Sequence, residues 1–220
     1  MLNITEPAAC EKPCNCKVRH ENTKLIVLTG GPGAGKTAVL EIIRKQLCGH
    51  VVILPEAASI VFGGGFWRLR SVSAIKAAQR AILHIQQECE ALVIGEHQWA
   101  LGLCDRGLLD GLAYWPGERE EFWRAAGTDL QTEYGRYHAV IHLRTPGDNF
   151  GYNHDNPLRT ESVLQAQLID HRISQLWSGH PRYYTVESAA DFLTKAQRAI
   201  DIITLHIPDC CSSRSAREGA

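Results

Sequence analysis

A glycine-rich segment near the N-terminus has the residue types and the spacing of a phosphate-binding loop. The stretch LIVLTGGPGAGKTAVL, residues 25–40, contains Gly30-x-x-x-x-Gly35-Lys36-Thr37, which is the complete P-loop pattern. Glycines let backbone N–H groups turn toward phosphate oxygens, and the start of a helix adds partial positive charge. Lys36 is predicted to reach the β- and γ-phosphates, and the Thr37 hydroxyl to hold Mg²⁺. The predicted nucleotide-binding residues are Gly30, Gly31, Pro32, Gly33, Ala34, Gly35, Lys36, Thr37 and Ala38.

A second group of charged side chains follows a later apolar run. Asp105 ends the run that begins at Leu101, and Arg106 comes directly after it. A carboxylate at the end of a buried strand is well placed to face the Mg²⁺ of a bound nucleotide. Asp110, one helical turn further on, is assigned to the substrate side, either supporting the site from behind or capping a helix. The alternative interpretation of Asp105-Arg106 is a surface turn without a chemical role.

The acceptor side of such a site is predicted from glycines and aromatic residues. The stretch FGGGFWR, residues 62–68, combines a mobile backbone with rings that could stack on a flat substrate. Gln79 lies near the apolar stripe of a predicted long helix and could bind an amide or a base edge. The predicted substrate-binding residues are Phe62, Gly64, Phe66, Trp67, Gln79 and Asp110. The alternative is that these aromatic residues belong to the core.

Short apolar runs alternate with segments of helical periodicity, and these elements must position the candidate residues. Strands are predicted at residues 24–29, 51–54, 101–104, 138–143 and 183–186, and helices from about residue 36, over 73–92, over 161–177 and up to about 206. Ser188 and Asp191 form a predicted capping box for the last helix. The alternation predicts an α/β P-loop NTPase fold, with a five-stranded, mostly parallel sheet covered by helices on both faces.

The two ends of the chain differ from this central domain, which is predicted over residues 23–208. Residues 1–22 are expected to form an irregular, cysteine-rich arm, and residues 209–220 a disordered tail. Three thiolates and one imidazole in the arm could complete a tetrahedral zinc site. The candidate ligands are Cys10, Cys14, Cys16 and His20. The alternative is a flexible arm with exposed thiols.

Composition excludes several classes of partner. The formal net charge is −1, which does not favour binding to nucleic acid or to an anionic membrane surface. No apolar stretch reaches the roughly 20 residues that a membrane-spanning helix requires, and the first residues lack the pattern of a signal peptide. The expected location is therefore the cytoplasm. The sequence does not predict the oligomeric state.

Among P-loop proteins, the motifs favour the small nucleoside and nucleotide kinases. The NKxD motif of signalling GTPases and the LSGGQ signature of ABC ATPases are both absent from the sequence. The segments GGPGAGKT, PEAAS, FGGGFWR, QRAILHIQQECE, CDRGLLDGLAYW and LRTESVLQAQLIDHRI resemble small P-loop proteins described as AAA-domain or ATP-binding proteins. Over about residues 24–206 the chain is similar to the ribosylnicotinamide-kinase domain of the bacterial NadR regulators and, more distantly, to thymidylate and deoxynucleoside kinases.

This resemblance implies roles for three further side chains. Arg106 resembles the arginine that steadies the transferring phosphoryl group or the acceptor in thymidylate and deoxynucleoside kinases. Glu56 resembles the general base that takes the proton of the substrate hydroxyl; alternatively, it only caps the helix that begins at Ala57. Arg159, in the segment 145–160 where these kinases have a lid, could reach the phosphates, or it could pair with Glu161 on a solvated helix start.

The expected activity is Mg²⁺- and ATP-dependent transfer of a phosphoryl group to a small molecule, namely a nucleoside, a nucleotide or a ribosyl compound. The predicted catalytic residues are Lys36, Glu56, Asp105, Arg106 and Arg159, with Thr37 and Asp105 as Mg²⁺ ligands. One alternative is a nucleotide-dependent switch or weak ATPase that docks a protein or a lipid and needs no Glu56. Another is a metal-dependent interaction module built on the N-terminal cysteines.

Overall fold

The computed structural model of the chain describes residues 8–9, for their backbone alone, and residues 19–146, 163–188 and 191–207. Strands and helices alternate along these ranges. The strands are β1 (Ala8–Ala9), β2 (Lys24–Thr29), β3 (Val51–Leu54), β4 (Leu101–Asp105), β5 (Ala139–Leu143) and β6 (Tyr183–Val186). The helices are α1 (Lys36–Gln46), α2 (Ala57–Gly63), α3 (Val72–Gly95), α4 (Asp110–Ala113), α5 (Arg119–Ala126), α6 (Leu130–Arg136), α7 (Val163–Trp177) and α8 (Phe192–Thr204).

All six strands belong to one sheet, in the order β1-β3-β4-β2-β5-β6. The five strands β2 to β6 run parallel to one another, whereas β1 pairs antiparallel with β3. The predicted P-loop α/β fold with a mostly parallel sheet is thus confirmed. The strand β1 adds a sixth member to the sheet within residues expected to be irregular, since two residues are too few to reveal a periodic pattern.

The core lies on both faces of this sheet. In β2, Leu25 and Val27 belong to one buried cluster, and Ile26 and Leu28 belong to another. The first cluster continues into the helices between β3 and β6, and the second into α1 and α8. A strand that buries both of its faces must be apolar throughout, which explains the continuous apolar run of β2.

The helices differ from the sequence-based expectation in particular places. The short helix α2 begins at Ala57, as the capping alternative for Glu56 assumes, whereas α5 and α6 are not predicted, because segments of seven or eight residues show little periodicity. The predicted capping box is wrong: Asp191 is itself the N-cap of α8 and accepts hydrogen bonds from the backbone N–H groups of Leu193 and Thr194. Ser188 instead donates to the carbonyl oxygen of Arg144. Within the described ranges, none of the helices combines the length and the apolar character needed to cross a membrane.

Three neighbouring parallel strands deliver the candidate residues to one edge of the sheet. Leu28 of β2 pairs in register with Asp105 of β4, and Leu54 of β3 with Cys104 of β4. The segments that follow these strands therefore begin side by side. Gly30, Glu56 and Arg106 all lie within two residues of such a strand end, which places them where parallel α/β sheets bind their ligands.

Candidate active site

The phosphate loop connects β2 to α1 in a conformation that requires glycine. Gly30 has a φ of 140°, and a Cβ atom at this position would lie 2.1 Å from the carbonyl oxygen of Leu143. The side chain of Lys36 is buried and folds back over the loop. Its Nζ donates hydrogen bonds to the carbonyl oxygens of Gly30, at 3.1 Å, and Gly31, at 3.4 Å. The lysine of the motif is thus held inside the loop, where a phosphate oxygen could replace the backbone carbonyls as its partner.

Three side chains from distant parts of the chain hold this loop. The carboxylate of Asp170, on α7, accepts a hydrogen bond from the Gly31 N–H at 2.9 Å and pairs with Arg144 at 3.0 Å. The buried Nζ of Lys195, on α8, donates to the Ala34 carbonyl oxygen at 2.9 Å. Thr145 donates to the Pro32 carbonyl oxygen at 3.4 Å. These supporting roles leave no local pattern in the sequence, because they depend on contacts over more than 100 residues of chain.

Arg106 is the centre of the charged cluster beside the loop. Its Nε donates to Glu56 Oε1 at 2.8 Å, and one terminal nitrogen donates to the Gly30 carbonyl oxygen at 3.1 Å and to Asp110 Oδ2 at 3.2 Å. The structure therefore brings Arg106 into direct contact with the phosphate loop and with two of the predicted carboxylates. The interpretation of Asp105-Arg106 as a surface turn is wrong, since both side chains are largely buried.

Asp110 supports Arg106 from behind. Besides Arg106, its carboxylate accepts hydrogen bonds from the Thr29 hydroxyl at 2.6 Å and from Trp177 Nε1 at 2.7 Å, and the residue is 2% exposed. Asp110 is the first residue of α4, and the N-cap position of that helix belongs to Leu109. Of the two roles considered for Asp110, the geometry favours support of the site over capping.

Glu56 occupies the N-cap position of α2 without a capping hydrogen bond from its side chain. One carboxylate oxygen meets Arg106, and the other accepts a 2.6 Å hydrogen bond from the Ser59 hydroxyl. Burial favours the neutral acid, but the charge of Arg106 and these hydrogen bonds outweigh it and lower the pKa of Glu56 to about 2. In the free protein at neutral pH, Glu56 is therefore an ionised carboxylate paired with an arginine.

The two predicted Mg²⁺ ligands lie at the same site and suit the ion. Asp105 is 8% exposed, and among the described residues its buried Oδ1 has no hydrogen-bond partner. Thr37 is exposed in the first turn of α1 and borders the same cavity. Burial raises the pKa of Asp105, against the opposing charge of Lys36. A carboxylate oxygen without a hydrogen-bond partner and a hydroxyl group that border the same cavity are oxygen donors of the kind that Mg²⁺ binds together with phosphates.

A cavity of about 760 Å³ opens beside the phosphate loop. Its walls come from the phosphate loop, α2, the segment before α3, α3 itself and the residues around α4. Of the residues predicted for the substrate side, Phe62, Trp67, Gln79 and Asp110 border the cavity. Gly64 and Phe66 lie nearby in the chain but do not border it.

The same cavity is also bordered by residues that were not predicted as site residues from the sequence. Arg68 and Arg70 border it, and the Arg68 guanidinium lies 4.6 Å from the centre of the Phe62 ring. Tyr114 and Gln86 line other parts of its wall. Trp67, at the same border, is 78% exposed. The cavity thus combines a charged end, formed by the phosphate loop and Arg106, with an aromatic and amide-bearing end of a size that suits a small molecule.

Several predicted features lie wholly or partly outside the described residues. They are Arg159, the tail at residues 209–220, and most of the N-terminal arm at residues 1–22, with the candidate zinc ligands Cys10, Cys14 and Cys16. The remaining candidate ligand, His20, packs edge-on against His50, with ring centres 4.9 Å apart. Within the described ranges, no three His, Cys, Asp or Glu side chains are grouped so that they could hold a metal ion. The zinc site and the role of Arg159 stay predictions.

Comparisons with known proteins agree with this architecture. No curated protein matches the chain by sequence. The solved structure of thymidylate kinase from Candida albicans is similar, with a TM-score of 0.52 and 14% sequence identity, over 86% of this chain and 97% of that one. At this identity the likeness shows the shared fold. The sequence model of the AAA domain family matches residues 25–195, which include the phosphate loop, Glu56, Asp105, Arg106 and Asp170. Since this match covers most of the 220 residues, the chain belongs to the AAA domain family of P-loop proteins.

Proposed function

We propose that this protein transfers the γ-phosphoryl group of ATP, with Mg²⁺, to a hydroxyl group of a small molecule: a nucleoside, a nucleotide or a ribosyl compound. One observation carries the proposal. Lys36, Thr37, Glu56, Asp105 and Arg106 all border a single cavity, and that cavity continues away from the phosphate loop into an aromatic end. A site that only hydrolysed ATP would need room for a water molecule, whereas this one has room for a second substrate.

The phosphate end would stabilise the charge that moves during transfer. Lys36 and Arg106 both contact the carbonyl oxygen of Gly30, so both cations converge on the same part of the loop. A γ-phosphoryl group bound there would accept hydrogen bonds from both. Phosphoryl transfer depends mainly on positioning and on neutralisation of charge on the transferred oxygens. Asp105 and the Thr37 hydroxyl would hold Mg²⁺, which when bound would further neutralise the charge of the phosphates.

Glu56 would act as the base, and its pairing with Arg106 would control when it does so. In the free protein the two side chains are 2.8 Å apart. A γ-phosphoryl group competes for the Arg106 guanidinium, which would leave Glu56 with a weaker counter-charge and a higher pKa. The Glu56 carboxylate then accepts the proton of the acceptor hydroxyl. At the same time the hydroxyl oxygen bonds to the γ-phosphorus, and the bond from that phosphorus to ADP breaks. A positioned base of this kind contributes about 10²–10⁴-fold to the rate.

The aromatic end would bind the acceptor and hold its hydroxyl toward Glu56. Phe62 and Trp67 offer ring faces, and the Gln79 amide offers both a donor and an acceptor. Closure of this end around the acceptor would exclude water, which limits wasteful hydrolysis of ATP. Arg159 is proposed as an additional contact to the phosphates.

The experiment is a measurement of ADP release from Mg²⁺-ATP in the presence of nucleosides, nucleoside monophosphates and ribosyl nicotinamide. Wild-type protein is compared with Glu56→Gln, and with Glu41→Gln as a matched control on the exposed face of α1. We expect one acceptor class to raise ADP release well above the acceptor-free rate, with the gain lost in Glu56→Gln and kept in Glu41→Gln. Tight nucleotide binding with no response to any acceptor would contradict the proposal and support the nucleotide-dependent switch.

A further inference from the structure

The backbone at Arg106 is in a conformation that the surrounding structure must hold. Arg106 has a φ of 78°, in the left-handed region that residues with a side chain rarely adopt. Such a conformation persists only where neighbouring contacts determine it. Its own N–H donates to the Leu28 carbonyl oxygen at 3.1 Å, which fixes one side of the residue. The other side is held by a group of buried polar side chains that the proposed chemistry does not use.

Those side chains are Gln86, Glu90 and Tyr137. Gln86 Nε2 donates to the Arg106 carbonyl oxygen at 3.4 Å and to Glu90 Oε1 at 2.7 Å. The Tyr137 hydroxyl accepts the N–H of Leu108 at 3.0 Å and donates to the same Glu90 oxygen at 2.8 Å. One carboxylate oxygen therefore orients two groups, and these groups hold the backbone on both sides of Gly107.

Glu90 has no contact with solvent, since it is 0% exposed. Its second oxygen lies 3.5 Å from the Arg136 guanidinium of α6, which also pairs with the buried Glu133. Burial of a carboxylate is costly unless it is paired and hydrogen-bonded. An apolar residue could fill this space without the free-energy cost of burying a carboxylate. The presence of Glu90 is therefore explained by the groups to which it is hydrogen-bonded.

Close packing restricts the same segment from the sheet side. A Cβ atom at Gly107 would lie 2.7 Å from the Trp177 ring and 2.9 Å from Val27. Trp177 in turn donates to the carboxylate of Asp110, which meets the Arg106 guanidinium. The segment 106–108 thus has little freedom to move, and its orientation is set by the hydrogen bond from Gln86 to the Arg106 carbonyl oxygen and by the hydrogen bond from the Leu108 N–H to Tyr137.

We propose that Glu90, acting through Gln86 and Tyr137, is a positioning residue that fixes the backbone of Arg106 so that the guanidinium faces the phosphate loop. The inference rests on the proposed function for its effect on rate. Its structural content, the orientation of Arg106, is independent of any acceptor. None of the three side chains needs to touch the reacting atoms for this role.

The test compares Tyr137→Phe, which deletes one hydroxyl, with Tyr134→Phe as the matched control. Tyr134 lies on α6, and Tyr137 directly follows that helix. The Tyr134 hydroxyl donates to the Leu176 carbonyl oxygen instead of to Glu90. Glu90→Gln, which keeps the shape of the side chain, is the second variant in case Tyr137→Phe does not fold. Two quantities are measured: the ¹⁵N–¹H resonance of Arg106 Nε, assigned by its loss in Arg106→Lys, and kcat and KM for transfer to the acceptor.

We expect Tyr137→Phe to shift or broaden the Arg106 Nε resonance and to lower kcat about tenfold. This loss lies within the ~10²-fold fall in rate that a small misplacement of a group at the site can cause. KM for ATP stays within about twofold, and Tyr134→Phe changes neither quantity. In the Arg106→Lys background, Tyr137→Phe should have little further effect on kcat, because the two residues act together.

Three contrary outcomes are distinguishable. If the resonance and kcat are both unchanged in Tyr137→Phe and Glu90→Gln while wild-type protein phosphorylates an acceptor, the positioning role is overturned and the proposed function stands. If the resonance moves but no acceptor is phosphorylated by wild-type protein, the positioning of Arg106 stands and the proposed function falls. Equal losses in Tyr134→Phe and Tyr137→Phe would also overturn the positioning role, since they would reflect packing alone.

Discussion

Two loops border the cavity, and they differ in what holds them. The phosphate loop, residues 30–36, receives side-chain contacts from α7, from α8 and from the segment after β5. The acceptor loop, residues 64–70, has Arg68 lying over the Phe62 ring of α2, while Trp67 and Leu69 are 78% and 58% exposed. Side chains of distant elements therefore hold the first loop, whereas Trp67 and Leu69 of the second are left largely exposed. Under the proposed function, the first loop would carry the chemistry and the second would contribute to the choice of acceptor.

Removal of Lys36 should have the largest effect at the phosphate end. Lys36→Ala deletes the buried ammonium that would neutralise the moving phosphoryl group, and we expect kcat to fall by about 10²–10³. Turnover of Mg²⁺-ATP with the acceptor is the measurement. Lys45→Ala, on the same helix, is the control and should leave the rate unchanged. A loss below tenfold in Lys36→Ala would mean that Arg106 alone supplies the charge, and the comparison between the two loops would need revision.

Loss of the Asp170 charge tests whether the phosphate loop is held from a distance. In Asp170→Asn the Gly31 N–H keeps at most a neutral partner, and the pair with Arg144 is lost. An interaction of this kind is worth about 1–3 kcal/mol, so we expect Mg²⁺-ATP affinity to fall roughly 5- to 150-fold by titration calorimetry. Affinity equal to wild type would show that the loop keeps its conformation without α7.

The pH dependence of nucleotide binding should report the charge of Lys36. Burial, with a further contribution from Arg106, lowers the pKa of Lys36 to about 8. Phosphates bind the charged form, so affinity is full below this pKa and falls about tenfold per pH unit above it. Titrations between pH 7 and 9.5 check the sign and the midpoint.

Lys195 requires a control in that experiment, because burial also lowers its pKa to about 8 and it holds the loop through Ala34. Lys36→Arg replaces the titrating ammonium with a permanent charge, and we expect the fall in affinity above pH 8 to disappear. An unchanged fall in Lys36→Arg would assign the titration to Lys195.

The smallest effect is expected in the acceptor loop. Trp67→Ala removes an exposed ring at the cavity border, and we expect KM for the acceptor to rise about three- to tenfold while the affinity for Mg²⁺-ATP stays the same. Phe66→Ala is the matched control, since Phe66 is 41% exposed and does not border the cavity. A change in nucleotide affinity for Trp67→Ala would show that the two loops are coupled in the free protein.

The sequence predicts the parts of this site that are local. The phosphate loop forms a continuous motif, and Glu56 and Asp105 lie at the ends of buried strands whose parallel pairing brings them together. Asp170 and Lys195 are not predicted, because a carboxylate and an ammonium on helices have no local pattern that indicates a partner more than 100 residues away. The role of Glu90 is hidden in the same way. Its polar side chain is conspicuous only once it is known to be buried.

The fold is predicted more completely than the part of the cavity that the acceptor loop borders, for a physical reason. Buried strands need continuous apolar runs, and these are visible in the sequence. The exposed positions of the acceptor loop carry no such requirement, so glycines and aromatic residues indicate a loop without indicating which of them faces the cavity. Trp67 borders it and Phe66 does not, although the two residues are adjacent and similar in chemistry.

The central claim is that the phosphate end and the cavity form one site for phosphoryl transfer to a hydroxyl. The most direct measurement follows the γ-phosphorus of Mg²⁺-ATP by ³¹P NMR during incubation with the acceptor that most increases ADP release. The account predicts a new phosphoester resonance that grows as ATP is consumed, and its absence in Glu56→Gln. Inorganic phosphate as the sole product, formed at the same rate with and without acceptor, would contradict the account and identify the cavity as a site for something other than a phosphoryl acceptor.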